Sequence, residues 1–134
     1  MKKNRERIIV AISVLLLASV VVCFTGCYKK SPPDPVENLI LETGVENGDV
    51  FIKATWDSVE GVIGYHARWE LDPEDAKDLE FIMLYTVVEE TTVVFENLVY
   101  DKLYTVTIYA INRNSLGYES YSTPVSAEIT CRSQ

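Results

Sequence analysis

From Val36 onward, the chain consists of short segments in which apolar and polar residues alternate with a period of two. The clearest is residues 104–110, YTVTIYA, where Tyr, Val, Ile and Ala alternate with Thr, Thr and Tyr. A period of two sends successive side chains to opposite faces of an extended strand, so that one face can be buried. No long helical period interrupts these segments, and the sequence therefore predicts an all-β domain.

Seven strands are predicted, each rich in β-branched or aromatic residues and bounded by Gly, Asn, Asp or Pro. They cover residues 37–43, 50–56, 65–71, 81–87, 93–95, 104–110 and 122–130. The last contains Pro124, which suits an edge strand because proline cannot donate to a ladder of backbone hydrogen bonds. Seven short strands without a disulfide framework favour a β-sandwich.

Several residues at fixed spacings mark these strands. Trp56 closes the second, Gly64 and Tyr65 open the third, and Leu98 stands six residues before Tyr104. Two longer motifs accompany these spacings: PVENL at residues 35–39 and YTVTIYAIN at residues 104–112. Together they make residues 35–130 resemble a fibronectin type III domain. The resemblance implies a seven-strand β-sandwich, a Tyr104 hydroxyl bonded to nearby backbone, and binding rather than catalysis. The expected structural core comprises Trp56, Tyr65, Trp69, Leu98 and Tyr104.

The N-terminus has the layout of an export signal. Its first seven residues hold four basic residues and one acidic residue, and residues 8–24 are apolar apart from Ser13 and Ser19. As a helix, this apolar run would rise about 25 Å, just short of a ~30 Å hydrocarbon core, so a retained transmembrane helix is the alternative. In either case the basic end stays in the cytoplasm and the following residues lie outside it.

The end of the apolar run is Phe24-Thr25-Gly26-Cys27. It resembles the lipobox of bacterial lipoproteins, with Phe in place of the more usual Leu. The resemblance implies that the Cys27 thiol receives diacylglycerol, which makes the chain a lipoprotein with acyl chains such as palmitate, and that a signal peptidase then cuts between Gly26 and Cys27. Cys23 is a poorer candidate, because the branched Val22 precedes it.

Three regions follow from this interpretation: a signal peptide at 1–26, a Pro-rich linker with lipidated Cys27 at 27–35, and the β-sandwich at 36–131. Pro32, Pro33 and Pro35 favour an extended spacer of about 25 Å. The expected location is the cell membrane or outer membrane, lipid-anchored and extracytoplasmic. If the strands follow the resembled fold, the end of the sandwich that carries residues 57–62, 89–90 and 112–119 faces the membrane.

The composition of the chain limits the classes of molecule that it can bind. Residues 27–134 hold eight basic and nineteen acidic residues, a formal charge of −11, which repels phosphate backbones, so we expect no nucleic acid partner. No metal, cofactor or hydrolase motif occurs, and His66 falls on the outer face of its strand by alternation. The sequence therefore predicts a non-enzyme without a cofactor. Cys131 is expected to be either an inert thiol or an intermolecular cross-link.

The segment ELDPEDAKDLE, residues 70–80, holds six carboxylates. Asp72 followed by Pro73 is typical of a capped helical turn with acidic residues at its start. Such a turn accounts for most of the charge, and calcium binding is the alternative, although the spacing of an Asp-rich calcium loop is missing.

Residues 81–88, FIMLYTVV, are apolar on both alternating faces, unlike the other strands. At a sheet edge such a strand invites pairing with a partner. We therefore expect an interaction edge comprising Phe81, Ile82, Met83, Leu84 and Tyr85, with ordinary packing against nearby loops as the alternative. The expected function is a binding module with a protein or glycan partner. The alternatives are a structural or accessory subunit of an envelope assembly and a carbohydrate-binding accessory protein.

Overall fold

A computed structural model describes residues 31–77 and 83–132 of the chain. The alternating segments form strands there, and the all-β prediction is confirmed. The eight strands of this part of the chain are β1 (Ile40–Glu46), β2 (Asp49–Thr55), β3 (Gly64–Leu71), β4 (Met83–Val88), β5 (Thr92–Leu98), β6 (Leu103–Arg113), β7 (Glu119–Tyr121) and β8 (Val125–Thr130). Within the described residues, no helix has the length and apolar character needed to cross a membrane.

Two antiparallel sheets make a β-sandwich. The first sheet has three strands in the order β1-β2-β5, and the second has five, β4-β3-β6-β7, with β8 also paired to β6. β6 is the longest strand, with eleven residues, and it pairs with β3 on one side and with β7 and β8 on the other. The five-stranded sheet therefore depends on β6 as its central strand.

The core lies between the sheets and is built from one alternate set of side chains on each strand. In β3 the buried residues are Tyr65, Ala67, Trp69 and Leu71, and in β6 they begin with Tyr104, Val106 and Ile108. All five residues expected in the core are at most 8% exposed: Trp56, Tyr65, Trp69, Leu98 and Tyr104. Val36 is also buried, so the sandwich begins at the residue that follows Pro35.

The predicted last strand, residues 122–130, is wrong at its start, because residues 122–124 lie between two strands and the short β7 before them was not predicted. β7 ends at Tyr121 and β8 begins at Val125. Between them Ser122 turns its hydroxyl toward β6, where it accepts a hydrogen bond from the Ala110 N–H at 2.9 Å. Pro124 has no N–H to donate, so the ladder stops and restarts after it.

The first strand starts three residues later than predicted, at Ile40. Asn38 adopts a positive φ of 53° and its side-chain amide donates to Asp57 at 2.7 Å. This left-handed conformation departs from the extended backbone of a strand. The chain therefore bends at Asn38 before it joins β1.

The loops gather at two poles. At the N-terminal pole, the Asp57 N–H donates to the Glu37 carbonyl and the Ile63 N–H to the Ile111 carbonyl. Residues 57–63, 89–91 and 114–118 thus lie at the end where Val36 enters, as the resembled fold requires. The C-terminal pole, at the other end of the strands, holds residues 47–48, 72–77 and 99–102.

Cys131 lies at the C-terminal pole, where its N–H donates to the Lys102 carbonyl at 3.2 Å. Its side chain is fully buried in the core. Burial raises the pKa of the Cys131 thiol above its ordinary value, and a hydrogen bond with Thr43 partly offsets this rise. Since the thiolate is the reactive form, the folded domain keeps this thiol inert and inaccessible to a cross-linking partner.

Two tyrosines bond to loops at opposite poles in the same way. The Tyr104 hydroxyl accepts the Val99 N–H at 2.8 Å, five residues before it in the chain. The Tyr65 hydroxyl accepts the Val59 N–H at 2.9 Å. Each ring also packs edge-on against a buried tryptophan, Trp69 or Trp56, at a centroid distance of 5.3 Å. The same pair of contacts therefore fixes a loop at each pole.

We expect Tyr104→Phe to lower the free energy of unfolding by about 1–3 kcal/mol, because it leaves the Val99 N–H without its acceptor while it keeps the ring. Urea unfolding followed by circular dichroism would measure the change. Tyr121→Phe is the matched control, because the Tyr121 hydroxyl donates to Glu119 on the exposed surface. The control should change stability by less than about 0.5 kcal/mol. Equal effects of the two substitutions would contradict the role assigned to Tyr104.

Candidate interaction surface

Among the described residues, β4 forms one edge of the five-stranded sheet with no strand paired to its outer side. Met83, Leu84 and Tyr85, from the predicted interaction edge, are 47%, 52% and 65% exposed, and Val87 is 61% exposed. Phe81 and Ile82 lie outside the described residues. β4 contains no charged residue, no proline and no glycine. It therefore lacks the charges and prolines that usually protect an edge strand against pairing.

The register between β3 and β4 assigns each side chain of the edge to a face. Tyr85 pairs with Arg68 and Val87 with His66, so these side chains lie on the outer face of the sheet. Leu84 pairs with Trp69 and lies on the core side, yet it remains 52% exposed. The free edge thus has apolar side chains on both faces, as the sequence pattern predicts.

An ordered group of rings lies beside this edge on the outer face. His66 stacks on Tyr85 with centroids 5.3 Å apart and an interplanar angle of 25°. On its other side, His66 meets Tyr109 of β6 edge-on at 5.8 Å. The Arg68 guanidinium lies 5.8 Å from the Tyr109 ring centroid, within the range of a cation–π contact. We call Tyr85, His66, Tyr109 and Arg68 the outer-face cluster.

The electrostatics of the outer-face cluster are simple. Burial, with a smaller contribution from the Arg68 charge, lowers the pKa of His66 and so favours the neutral imidazole. Arg68 reaches Glu70 at 3.6 Å, a long and half-exposed ion pair. Such a pair contributes little to stability. The cluster therefore presents aromatic surface with one cation and one nearby anion, held in place before any partner binds.

Two clefts elsewhere on the domain are small and acidic. One, of about 260 Å³, is lined by Asp34, Glu37, Asp57 and Glu60 among others. The other, of about 190 Å³, includes Glu46, Asp49 and Glu96. Both are smaller than the roughly 300–1,000 Å³ typical of small-molecule sites. The exposed edge and its neighbouring rings are therefore the better candidate site.

The start of the acidic segment forms the predicted capped turn. The Asp72 carboxylate accepts the Glu74 N–H at 2.9 Å, and the Asp72 carbonyl accepts the N–H groups of Asp75 and Ala76. Asp78 and Glu80 lie outside the described residues. Across residues 31–77 and 83–132, no three His, Cys, Asp or Glu residues are grouped so that they could hold a metal.

Sequence reasoning missed the role of Asp75 in this turn. Its carboxylate accepts the Leu103 N–H at 3.1 Å and pairs with the Lys102 ammonium at 3.0 Å. Both contacts lower the pKa of Asp75, and the hydrogen bond from the Leu103 N–H makes the larger contribution. The partners are 27 and 28 residues away in the chain, and no local spacing marks such a contact. Asp75 thus ties the acidic segment to the start of β6.

We expect Asp75→Asn to lower the melting temperature at pH 7. A carboxyl group with a lowered pKa in the folded state stabilises the fold above its unfolded pKa, and this contribution is lost as the pH falls through the folded value. The difference in melting temperature between wild type and Asp75→Asn should therefore shrink below about pH 4. Glu74→Gln, in the same turn, is the control and should behave like wild type. A difference that persists unchanged at pH 2 would contradict the ion-pair role.

Comparison with known proteins shows similarity in structure alone. No protein-family model and no curated protein matches this sequence. Among solved structures, the fn3 domain of the human collagen alpha-1(XX) chain is similar with a TM-score of 0.58 and 17% identity, covering 81% of this chain and 94% of that one. The fibronectin type-III domain of human fibronectin type III domain containing protein 3 is similar with a TM-score of 0.51 and 20% identity, and it covers the same shares of the two chains.

A computer-based redesign of a β-sandwich protein is also similar, with a TM-score of 0.56 and 19% identity over 75% of this chain and 92% of that one. At these identities the similarity concerns the arrangement of the strands. The Tyr104 contact described above is the one that the resemblance implies. The chain therefore has the fibronectin type III fold.

Proposed function

We propose that this chain is a lipid-anchored, extracytoplasmic binding module that engages a protein partner through β4 and does not catalyse a reaction. The observation that carries the proposal is the uncharged free edge of β4, with half or more of Leu84, Tyr85 and Val87 exposed. A partner strand that pairs with this edge would satisfy its backbone groups and cover its apolar side chains.

The outer-face cluster gives such a partner a specific surface. Tyr85 belongs both to the free edge and, through its stack on His66, to the ring contacts that continue to Tyr109. Backbone pairing at an edge supplies affinity, whereas side-chain contacts supply discrimination between partners. Aromatic side chains are well suited to this role because they bury a large area at a low cost in conformational entropy.

Charges around the edge favour one kind of partner strand. Glu89 and Glu90 follow the end of β4, and Glu70 pairs with Met83 at its start. An uncharged strand flanked by carboxylates would fit an apolar strand flanked by basic residues. The same acidic surface would disfavour acidic partners, including a second copy of this domain approaching at long range.

The lipid anchor rests on the sequence around Cys27, which lies outside the described residues. Two acyl chains with about fifteen buried methylenes each give on the order of 20 kcal/mol as an upper limit for membrane attachment. The mature chain would then begin at Cys27 and reach Val36, the first buried residue, through the Pro-rich linker. The proposal thus assigns residues 1–26 to export and residues 36–131 to binding.

The anchor is tested by mass spectrometry of the chain isolated from a bacterial membrane. We expect a mature chain that lacks residues 1–26 and carries diacylglycerol on the Cys27 sulfur. Cys27→Ala should leave the signal uncleaved, whereas Cys23→Ala, the matched control, should be processed like wild type. A mature chain that still begins at Met1 would show a retained helix instead.

The binding edge is tested by site-specific photo-cross-linking in intact cell envelopes. A photo-reactive phenylalanine derivative that replaces Tyr85 should yield one discrete adduct. The matched control position is Val94, which is 49% exposed on β5 at an edge of the other sheet. Adding Leu84→Lys should remove the Tyr85 adduct with little change in melting temperature, because a charge there opposes pairing at an already exposed position.

The mass of the adduct separates the remaining alternatives. A second protein in the adduct would identify a binding partner, and several proteins cross-linked at fixed stoichiometry would favour the envelope-assembly alternative. Equal cross-linking from positions 85 and 94, or none from 85, would contradict the assignment of the binding site to β4.

A further inference from the structure

We propose that the tip of the β6–β7 hairpin, residues 113–119, is a lipid-contact site that places Leu116 and Tyr118 in the interface of the membrane to which the chain is anchored. The inference rests on the membrane anchoring in the proposed function and adds a second, direct contact with the same bilayer. We call residues 113–119 the hairpin tip. Its chemistry is that of a short apolar loop entering a neutral lipid surface.

The first observation is exposure. Leu116 is 79% exposed and Tyr118 is 71% exposed, the highest values among the large hydrophobic residues that the structure describes. Scattered apolar residues on a surface are ordinary, but two of them share one five-residue turn. Leucine gains from leaving water, and tyrosine is enriched where a membrane meets water because its ring is apolar and its hydroxyl is polar.

The second observation is that the turn is ordered. The Asn114 side-chain oxygen accepts the N–H groups of Leu116 at 3.0 Å and Tyr118 at 2.9 Å. The backbone of Asn114 also bonds to Tyr118 and Gly117, each at 3.0 Å. Gly117 has a φ of 86°, a conformation that glycine adopts without strain. Both apolar side chains are therefore presented by a fixed loop, which reduces the entropy lost on binding.

The third observation is local neutrality. Arg113 and Glu119 flank the turn and pair with each other at 2.6 Å. Glu119 also accepts a hydrogen bond from the Tyr121 hydroxyl at 2.8 Å. The hairpin tip thus carries no net charge, although the domain as a whole is strongly acidic. A neutral tip can approach phospholipid headgroups without the repulsion that other parts of the surface would meet.

The fourth observation is position. Ile111 of β6 pairs with Gly64, the first residue of β3, whereas β6 continues to Arg113 and the turn extends beyond it. The hairpin tip therefore projects past the start of β3. It does so at the N-terminal pole, where Glu37 bonds to Asp57 and where residues 31–36 lead into the domain. The chain before these residues holds the apolar run at 8–24 and Cys27.

Because the N-terminal linker holds the domain near the bilayer, a weak contact between the hairpin tip and lipid is sufficient for binding. An extended linker from Cys27 to Pro35 spans about 25 Å at ~3.1 Å per residue, and this limits how far the N-terminal pole can move from the bilayer. Short tethers give effective concentrations on the order of millimolar. Two side chains that could not hold a free protein on a membrane can therefore hold an attached one.

The neighbouring loops set a preference among lipids. Glu60, Glu89 and Glu90 are exposed at the same pole. Their charges oppose close approach to anionic lipid and not to zwitterionic lipid. The contact should therefore be stronger on phosphatidylcholine vesicles than on vesicles rich in phosphatidylglycerol, and added salt should reduce this difference.

The test uses the full chain, isolated with its anchor and reconstituted into phosphatidylcholine vesicles with brominated acyl chains, which quench tryptophan within the bilayer. In the Leu116→Trp variant, we expect the added indole to be strongly quenched and its emission shifted to shorter wavelength. The matched control is Val45→Trp, since Val45 is 43% exposed near the C-terminal pole and should show no added quenching. Trp56 and Trp69 are buried in the core and give a constant background, measured on the wild type.

Three further measurements complete the test. Adding Tyr118→Ser to Leu116→Trp should reduce the quenching, and circular dichroism should show that each variant retains its β-structure. Equal quenching at positions 116 and 45, or none at 116 in chains that float with the vesicles, would overturn the lipid contact while the anchor stands. Chains that fail to float would overturn the anchor, and the lipid contact with it.

Discussion

Near each pole of the sandwich, a tyrosine packs edge-on against a buried tryptophan. Trp69 meets Tyr104 and Trp56 meets Tyr65, and each phenol then accepts a backbone N–H from a loop. A buried ring thereby determines the path of an exposed segment. The loop that precedes β6 and the loop that precedes β3 are both fixed in this way.

Much of this architecture could be predicted from the alternation of apolar and polar residues, because a two-residue period indicates which side chains of a strand are buried. The core position of Trp56 and the outward position of His66 follow directly from it. The free edge was also predictable from the apolar residues on both faces of β4. Contacts that join distant parts of the chain were not, since the bond from Leu103 to Asp75 or the packing of Tyr85 on His66 has no local spacing that marks it. The start of the last strand at Val125 needed the position of the Ser122 hydroxyl as well as Pro124.

The apolar surface that remains exposed is divided between two places with different geometry. β4 offers a straight edge with unpaired backbone groups, which suits a partner that is itself extended. The hairpin tip offers two side chains on a closed turn in which the N–H groups of Asn114, Leu116, Gly117 and Tyr118 already have acceptors, which suits contact with a medium that offers none. The hydrogen bonding of the backbone therefore distinguishes the two sites more clearly than their hydrophobicity does.

The placement of Val36 and Cys131 at opposite poles has a mechanical consequence. A pulling force applied between these two residues would run parallel to the strands and stress the seven pairs of β1 with β2 and the six pairs of β6 with β8 in shear. In shear, many backbone hydrogen bonds must yield at the same time, whereas a force applied across a hairpin opens them one by one. The domain is therefore built to resist extension along its long axis more strongly than peeling at the β4 edge.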